Sequence, residues 1–193
     1  MNVNRDKKRL VVGISGASGA LIGIRILEVL RHEEAWESHL VISNGGKQTI
    51  ACETDYSLKE VVELADVFHE TENIGASIAS GTYPCEGMVI APCSMKTLAG
   101  IASGYSDNLL LRAADVQLKE RRQLVLIARE APLSTIHLRN MLSLADMGAV
   151  ILPPVLSLYN GPETIEDAVD HIVGKSLNIF GIDHTRFRRW GQE

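Results

Sequence analysis

The chain has little with which to cross-link itself or grip a metal: it carries only three cysteines in 193 residues, Cys52, Cys85 and Cys93. An odd number, far apart and with no C-x-x-C pair, excludes a disulfide framework and gives no structural zinc spacing. The carboxylates do not cluster as a magnesium site would, so no metal is expected. No apolar run approaches the roughly 20 residues of a membrane span. The run at 10–14, after a charged opening, is too short for a signal-peptide core, so the expected location is cytoplasmic. Excess positive charge is also missing. With a net charge of −5 and interspersed signs, nothing marks nucleic acid or an anionic membrane as a partner.

Two nucleotide signatures are absent as well. There is no G-x-x-x-x-G-K-[ST], which disfavours a Walker-type ATPase, and Gly13, Gly16, Gly19 and Gly23 are spaced by three, three and four rather than as G-x-G-x-x-G. The second apolar run, 40–42, ends in Ser43-Asn44 with no carboxylate to hold a ribose, which disfavours NAD. What is present is an apolar run leading straight into Ser15-Gly16-Ala17-Ser18-Gly19 and then a helical stretch. Strand, small-residue turn and helix N-terminus make an anion site, because glycines let the backbone approach a phosphate and unpaired N–H groups point at it. Ser15, Ser18 and Ser43 around a phosphate suit a mononucleotide. The plainer alternative is a turn whose small residues only let helix and sheet pack closely.

Short apolar runs at 10–14, 40–42, 88–91, 124–128 and 149–152 read as strands. Between and after them, 21–31, 47–51, 58–64, 95–103, 108–118, 134–147 and 164–177 carry apolar residues at helical spacing. Alternation of this kind, with continuous rather than period-two strands, predicts one α/β domain over 1–193: a mainly parallel sheet with helices on both faces, and a flexible N-terminus at 1–8. The least regular stretches, 73–86 and 153–162, are long enough to be functional loops. Ligands of such sheets bind beyond the carboxyl ends of the strands. That rule places Ser15–Ser18, Ser43, Pro92-Cys93-Ser94-Met95-Lys96, Arg129-Glu130 and the loop to Tyr159 at one rim.

Several of these residues carry two readings. Ser94 opens a helix and can cap it, while Cys93 beside it is either a nucleophile or inert packing. Arg112, Asp115 and Lys119 share a helix face, which is a solvated ion-pair row or part of a site. Arg129-Glu130 is a structural pair, or a cation beside a carboxyl group that exchanges a proton with a leaving group. Tyr159 and Lys175 are suited to phosphate contact.

Taken together the residues resemble the UbiX-type flavin prenyltransferases, long described as aromatic-acid decarboxylases. The resemblance runs over Val12-Gly13-Ile14-Ser15-Gly16-Ala17-Ser18-Gly19, Glu53-Thr54-Asp55, Ala79-Ser80-Gly81, Ala91-Pro92-Cys93-Ser94-Met95-Lys96, Arg112-Ala113-Ala114-Asp115-Val116 with Leu118-Lys119-Glu120-Arg121, Arg129-Glu130-Ala131-Pro132-Leu133 and Arg188-Arg189-Trp190-Gly191. It implies a flavodoxin-like Rossmann subunit of a dodecamer that joins a five-carbon group from dimethylallyl monophosphate to reduced FMN. The product serves a separate UbiD-type decarboxylase. By position it implies FMN contacts from Gly16, Ala17, Ser18, Ser43, Cys93, Ser94, Met95, Lys96 and Arg129. It assigns the donor phosphate to Lys119, Arg129, Tyr159 and Lys175, proton traffic to Glu130 and Ser18, and the rest of the site to Glu53, Ser80, Arg112 and Trp190. Three departures stand out: Lys175 where relatives often carry Arg, Asn44-Gly45-Gly46 in place of a more usual Lys-Ala-Ala, and Tyr159-Asn160-Gly161-Pro162 as a variant of a Tyr-His-x-Pro loop. The competing functions are direct flavin-dependent decarboxylation and non-catalytic delivery of FMN to a partner.

Overall fold

The continuous apolar runs form the middle of a sheet because both its faces are covered. A computed structural model describes residues 7–187 and 191. In it β1 (Lys8–Ile14), β2 (Trp36–Ile42), β3 (Val67–His69), β4 (Gly87–Cys93), β5 (Gln123–Ala128) and β6 (Val150–Ile151) pair in parallel, in the order β3-β2-β1-β4-β5-β6. Side chains alternate between the faces. Leu10, Val12 and Ile14 of β1 join one core with α1 (Ala20–Arg31), α2 (Asn44–Glu53), α3 (Leu58–Glu63) and α7 (Ile165–Asn178). Val11 joins the other, under α4 (Met95–Ala102), α5 (Leu109–Lys119) and α6 (Thr135–Asp146). This is the three-layer flavodoxin-like arrangement.

The structure moves some expected boundaries. Lys8, assigned above to a flexible terminus, opens β1: it pairs with Trp36 and its amide donates to the Ala35 carbonyl at 2.9 Å. β3 was not expected, because a three-residue edge strand is too short to show a period. α2 starts at Asn44 rather than 47, since the Ser43 hydroxyl accepts from the Gly46 amide at 3.0 Å and draws both low-propensity glycines into the first turn.

α1 lies close on the sheet at Gly23, where an added Cβ would sit 2.2 Å from the Ala91 carbonyl oxygen and 2.9 Å from Ile14. Gly23→Ala should therefore force helix and sheet apart and destabilise the fold by about 1–3 kcal/mol, the usual cost of overpacking. Urea unfolding of the two proteins checks this, and an unchanged midpoint would show that the contact is soft.

Residues 70–86 run from the end of β3 back to the start of β4 and cover β2 and β3 in place of a helix. Arg122 holds this segment through the Tyr83 and Gly81 carbonyls (2.9 and 2.6 Å), and Arg112 Nε donates to the Ala79 carbonyl at 3.2 Å. Under it lies a polar cluster. Glu37 accepts from Arg9 at 2.8 Å and meets His39 at 3.0 Å; His39 bonds His69 at 2.9 Å, and the Tyr83 hydroxyl reaches His39 at 3.3 Å. Burial pushes the His39 imidazole below its usual value and that of His69 down to about 4, the neighbouring His39 adding to the latter.

Candidate active site

Three chain turns meet at the carboxyl ends of β1, β2 and β4. Gly16 and Gly45 touch backbone to backbone: a Cβ on Gly16 would lie 2.9 Å from the Gly45 Cα. The buried Ser15 hydroxyl donates to the Pro92 carbonyl and accepts from the Ser94 amide, both at 2.8 Å, so it locks the first turn to the third. This corrects the expectation that Ser15 holds phosphate, because both its hydrogen bonds are internal. Ser43 caps α2, and Ser94 caps α4 by accepting from the Thr97 amide at 3.3 Å. The amides of Gly16, Ala17, Ser18, Asn44, Gly45, Met95 and Lys96 have no hydrogen-bond acceptor among the described residues. Open amides converging from two helix N-termini and a glycine turn form a nest for a phosphate. Lys96 and Arg129 stand exposed at the same rim, and neither forms an ion pair among the described residues. The site therefore fits a phosphorylated flavin: peptide donors and two cations without acid partners suit a doubly charged phosphate.

The α1 N-terminus itself is already occupied. Glu53, the last residue of α2, accepts from the Gly19 and Ala20 amides at 2.8 and 3.3 Å and from the Ser18 hydroxyl. Burial pushes its carboxyl group up, but those bonds and the charge of Arg129 outweigh it and hold it below the usual carboxylate range. The Ser18 hydroxyl thus lies beside an acceptor held ionised. Glu130 follows β5 and is exposed; among the described residues its carboxyl group accepts only the neighbouring Ala131 amide, at 3.0 Å, and makes no ion pair with Arg129. Arg129 is anchored through its own amide, which donates to the Cys93 carbonyl at 3.1 Å. The Cys93 side chain is fully buried, and burial pushes its thiol up to about 12. Cys93 is therefore packing and not a nucleophile, and only its backbone faces the site.

The other expected site residues are not at this rim. Lys119 ends α5, which leads into the start of β5, whereas Arg129 follows the end of β5. The six residues of that strand put about 20 Å between the two levels. There Lys119 pairs with Glu120; Arg112, in the first turn of the same helix and so nearer the carboxyl ends of the strands, pairs with Asp115 at 2.7 Å, and the Ser80 hydroxyl meets that of Thr82 at 2.9 Å. Of these residues Asp115 and Lys119 line a cleft of about 840 Å³, together with Arg121, Arg122 and Asp146. The row Arg112, Asp115, Lys119 is thus an ion pair plus a separate lysine. Tyr159, expected with the rim, folds back along α7 instead, its ring edge-on to His171 at 5.8 Å, and Lys175 lies one helical turn beyond. Trp190 lies outside the described residues. Sequence reasoning gives no role to Arg122 or His171; neither belongs to a spacing pattern that marks it.

A family model described as Flavoprotein matches residues 1–177. The chain is 55% identical over 185 residues, 95% of its length and 98% of the other, to the flavin prenyltransferase UbiX of Salmonella typhimurium. It is similar to a crystal structure of AnUbiX (PadA1) in complex with FMN and dimethylallyl pyrophosphate, with a TM-score of 0.94 and 49% identity over 97% of this chain and 99% of that one. A dodecameric FMN-dependent UbiX-like decarboxylase from Escherichia coli O157:H7 superposes equally well, with a TM-score of 0.94 and 50% identity over 95% and 100% of the two chains.

Proposed function

The chain belongs to the Flavoprotein family, within it to the UbiX-type flavin prenyltransferases, and on that premise we propose that it transfers a dimethylallyl group from a dimethylallyl phosphate to reduced FMN. The observation that carries the proposal is the convergence on one rim of open amides, two cations without acid partners, and two carboxylates in different states: Glu53 ionised and engaged, Glu130 exposed. Reduced FMN supplies the electron-rich ring that accepts the prenyl carbon. The amides at 16–18 and 95–96, with Ser43 and Lys96, hold its phosphate. Breaking the allylic C–O bond leaves charge on the departing phosphate, which Arg129 neutralises and Glu130 protonates. Ser18 passes a proton released at the flavin to Glu53.

Lys119, Arg112, Ser80, Tyr159 and Lys175 complete the donor side from neighbouring subunits, because within one subunit they lie away from the rim. Assembly is supported by the exposed side chains of Ile136, Leu142, Val155, Leu156, Leu158 and Ile165, each at least 64% accessible. The dodecameric state of the similar Escherichia coli protein supports an assembly of that size. The product passes to a UbiD-type decarboxylase in the cytoplasm. Among the described residues no helix is long and apolar enough to cross a membrane, and no group of three or more His, Cys, Asp and Glu could hold a metal ion. Incubation with reduced FMN and dimethylallyl monophosphate, followed by mass spectrometry of the flavin, tests the reading. A flavin heavier by one prenyl group is expected; an unmodified flavin points to carriage of FMN, and carbon dioxide from an added aromatic acid to direct decarboxylation.

A further inference from the structure

We infer that His171, a residue to which neither the sequence motifs nor the rim geometry gives a role, is the positioning residue that seats Tyr159 for donor binding. The inference rests on the reading of Tyr159 and Lys175 as ligands of the donor phosphate. Tyr159 sits in the thirteen residues between β6 and α7 that form neither helix nor strand, and Val155, Leu156 and Leu158 before it are 64–75% exposed. A tyrosine on such a loop reaches a fixed place only if something rigid holds it. His171 meets that need. It is 5% exposed on the middle of α7 and its ring meets the Tyr159 ring edge-on at 5.8 Å. Its Nδ1 shares a hydrogen bond with the side-chain amide of Asn160, the next residue along the loop.

The other side of the imidazole is backed by Phe187, whose ring lies 5.2 Å away at 50°. That backing is firm: a Cβ on Gly174 would fall 2.3 Å from the Phe187 Cβ, so the segment leading to the carboxyl terminus lies directly on the α7 backbone. Four residues along the helix from His171 comes Lys175, on the same face. One imidazole thus fixes the loop that carries Tyr159 to the helix that carries Lys175. Burial and the Lys175 charge keep it below the usual imidazole range, so near neutral pH it works as an uncharged wedge and adds no cation to the phosphate grip.

The test uses the FMN-loaded, assembled protein and dimethylallyl monophosphate as the probe, with donor affinity read by titration calorimetry and turnover measured separately. His171→Ala removes both the ring contact and the Asn160 bond and should weaken donor binding about tenfold. FMN affinity and the rate at saturating donor should stay within about twofold, since neither the rim nor Glu130 is touched. His171→Phe keeps both ring contacts and should recover most of the lost affinity. Donor affinity unchanged in His171→Ala, or FMN and donor affinity falling together in both variants, overturns the inference. A wild-type protein that binds FMN but no donor overturns the donor-site reading and this inference with it.

Discussion

Glu130→Gln should leave FMN bound and slow prenyl transfer by ~10²–10⁴-fold, the range for losing a positioned general acid or base. The expectation comes from contrast with Glu53. The Glu53 carboxylate is committed to the Ser18 hydroxyl and to two amides of the first turn of α1, and is held ionised there. Glu130 has no such commitment, since it stands exposed beyond β5 with one amide from its own neighbour. A carboxyl group with so few internal bonds is available to a departing phosphate, whereas that of Glu53 is already engaged. Gln keeps the size and the hydrogen-bond acceptor but has no proton to give. Single-turnover rates with preloaded reduced FMN measure the step directly, and an unchanged rate would make Glu130 a structural residue.

Mixing two inactive variants should restore activity. Lys119 and Glu130 belong to opposite ends of β5, about 20 Å apart along the strand, so no one subunit brings them together. If each site draws Lys119 from one subunit and Glu130 from another, Lys119→Ala and Glu130→Gln oligomers are each impaired, and co-assembled chains rebuild intact sites. Random mixing in equal amounts makes roughly a quarter of the sites carry both native residues, and activity should return to about that share of wild type. Mixed oligomers no more active than the sum of the separate variants would place both residues in the same subunit's site.

The sequence was most legible where one signal decides the outcome. Continuous apolar runs mark strands buried on both faces, and five of the six were found together with the rim they define. Ser43, Ser94 and Glu130 could be placed because each follows such a run directly. The three residues of β3 and the two of β6 carry too little pattern to fix their bounds, and Gly45 and Gly46 hid the start of α2. Ser15 looked like its neighbours Ser18 and Ser43, and only the fold shows its hydroxyl turned inward to Pro92 and Ser94. Tyr159 was placed at the rim because it follows the last strand. The loop instead doubles back to His171, a contact between side chains 12 residues apart that no periodicity records.

The segment over β2 and β3 gives this protein a weak side toward acid. A helix in that place would cover the sheet edge with carbon; residues 70–86 instead lie over His39 of β2 and His69 of β3, two neutral, hydrogen-bonded imidazoles. In the unfolded chain those rings take up protons near the ordinary value of 6.5, while in the folded protein His69 resists protonation down to about 4. Above pH 6.5 the difference costs nothing. As the pH falls from there toward 4, unfolding binds protons that the native cluster excludes, and stability drains away. The loss is local before it is global: hydrogen exchange should show amides of β3 and the covering segment opening first on acidification, while β1 and β4 stay closed. Uniform protection across the sheet at pH 5 would contradict this. An enzyme built so loses the wall behind Arg112 and Ser80 before it loses its flavin.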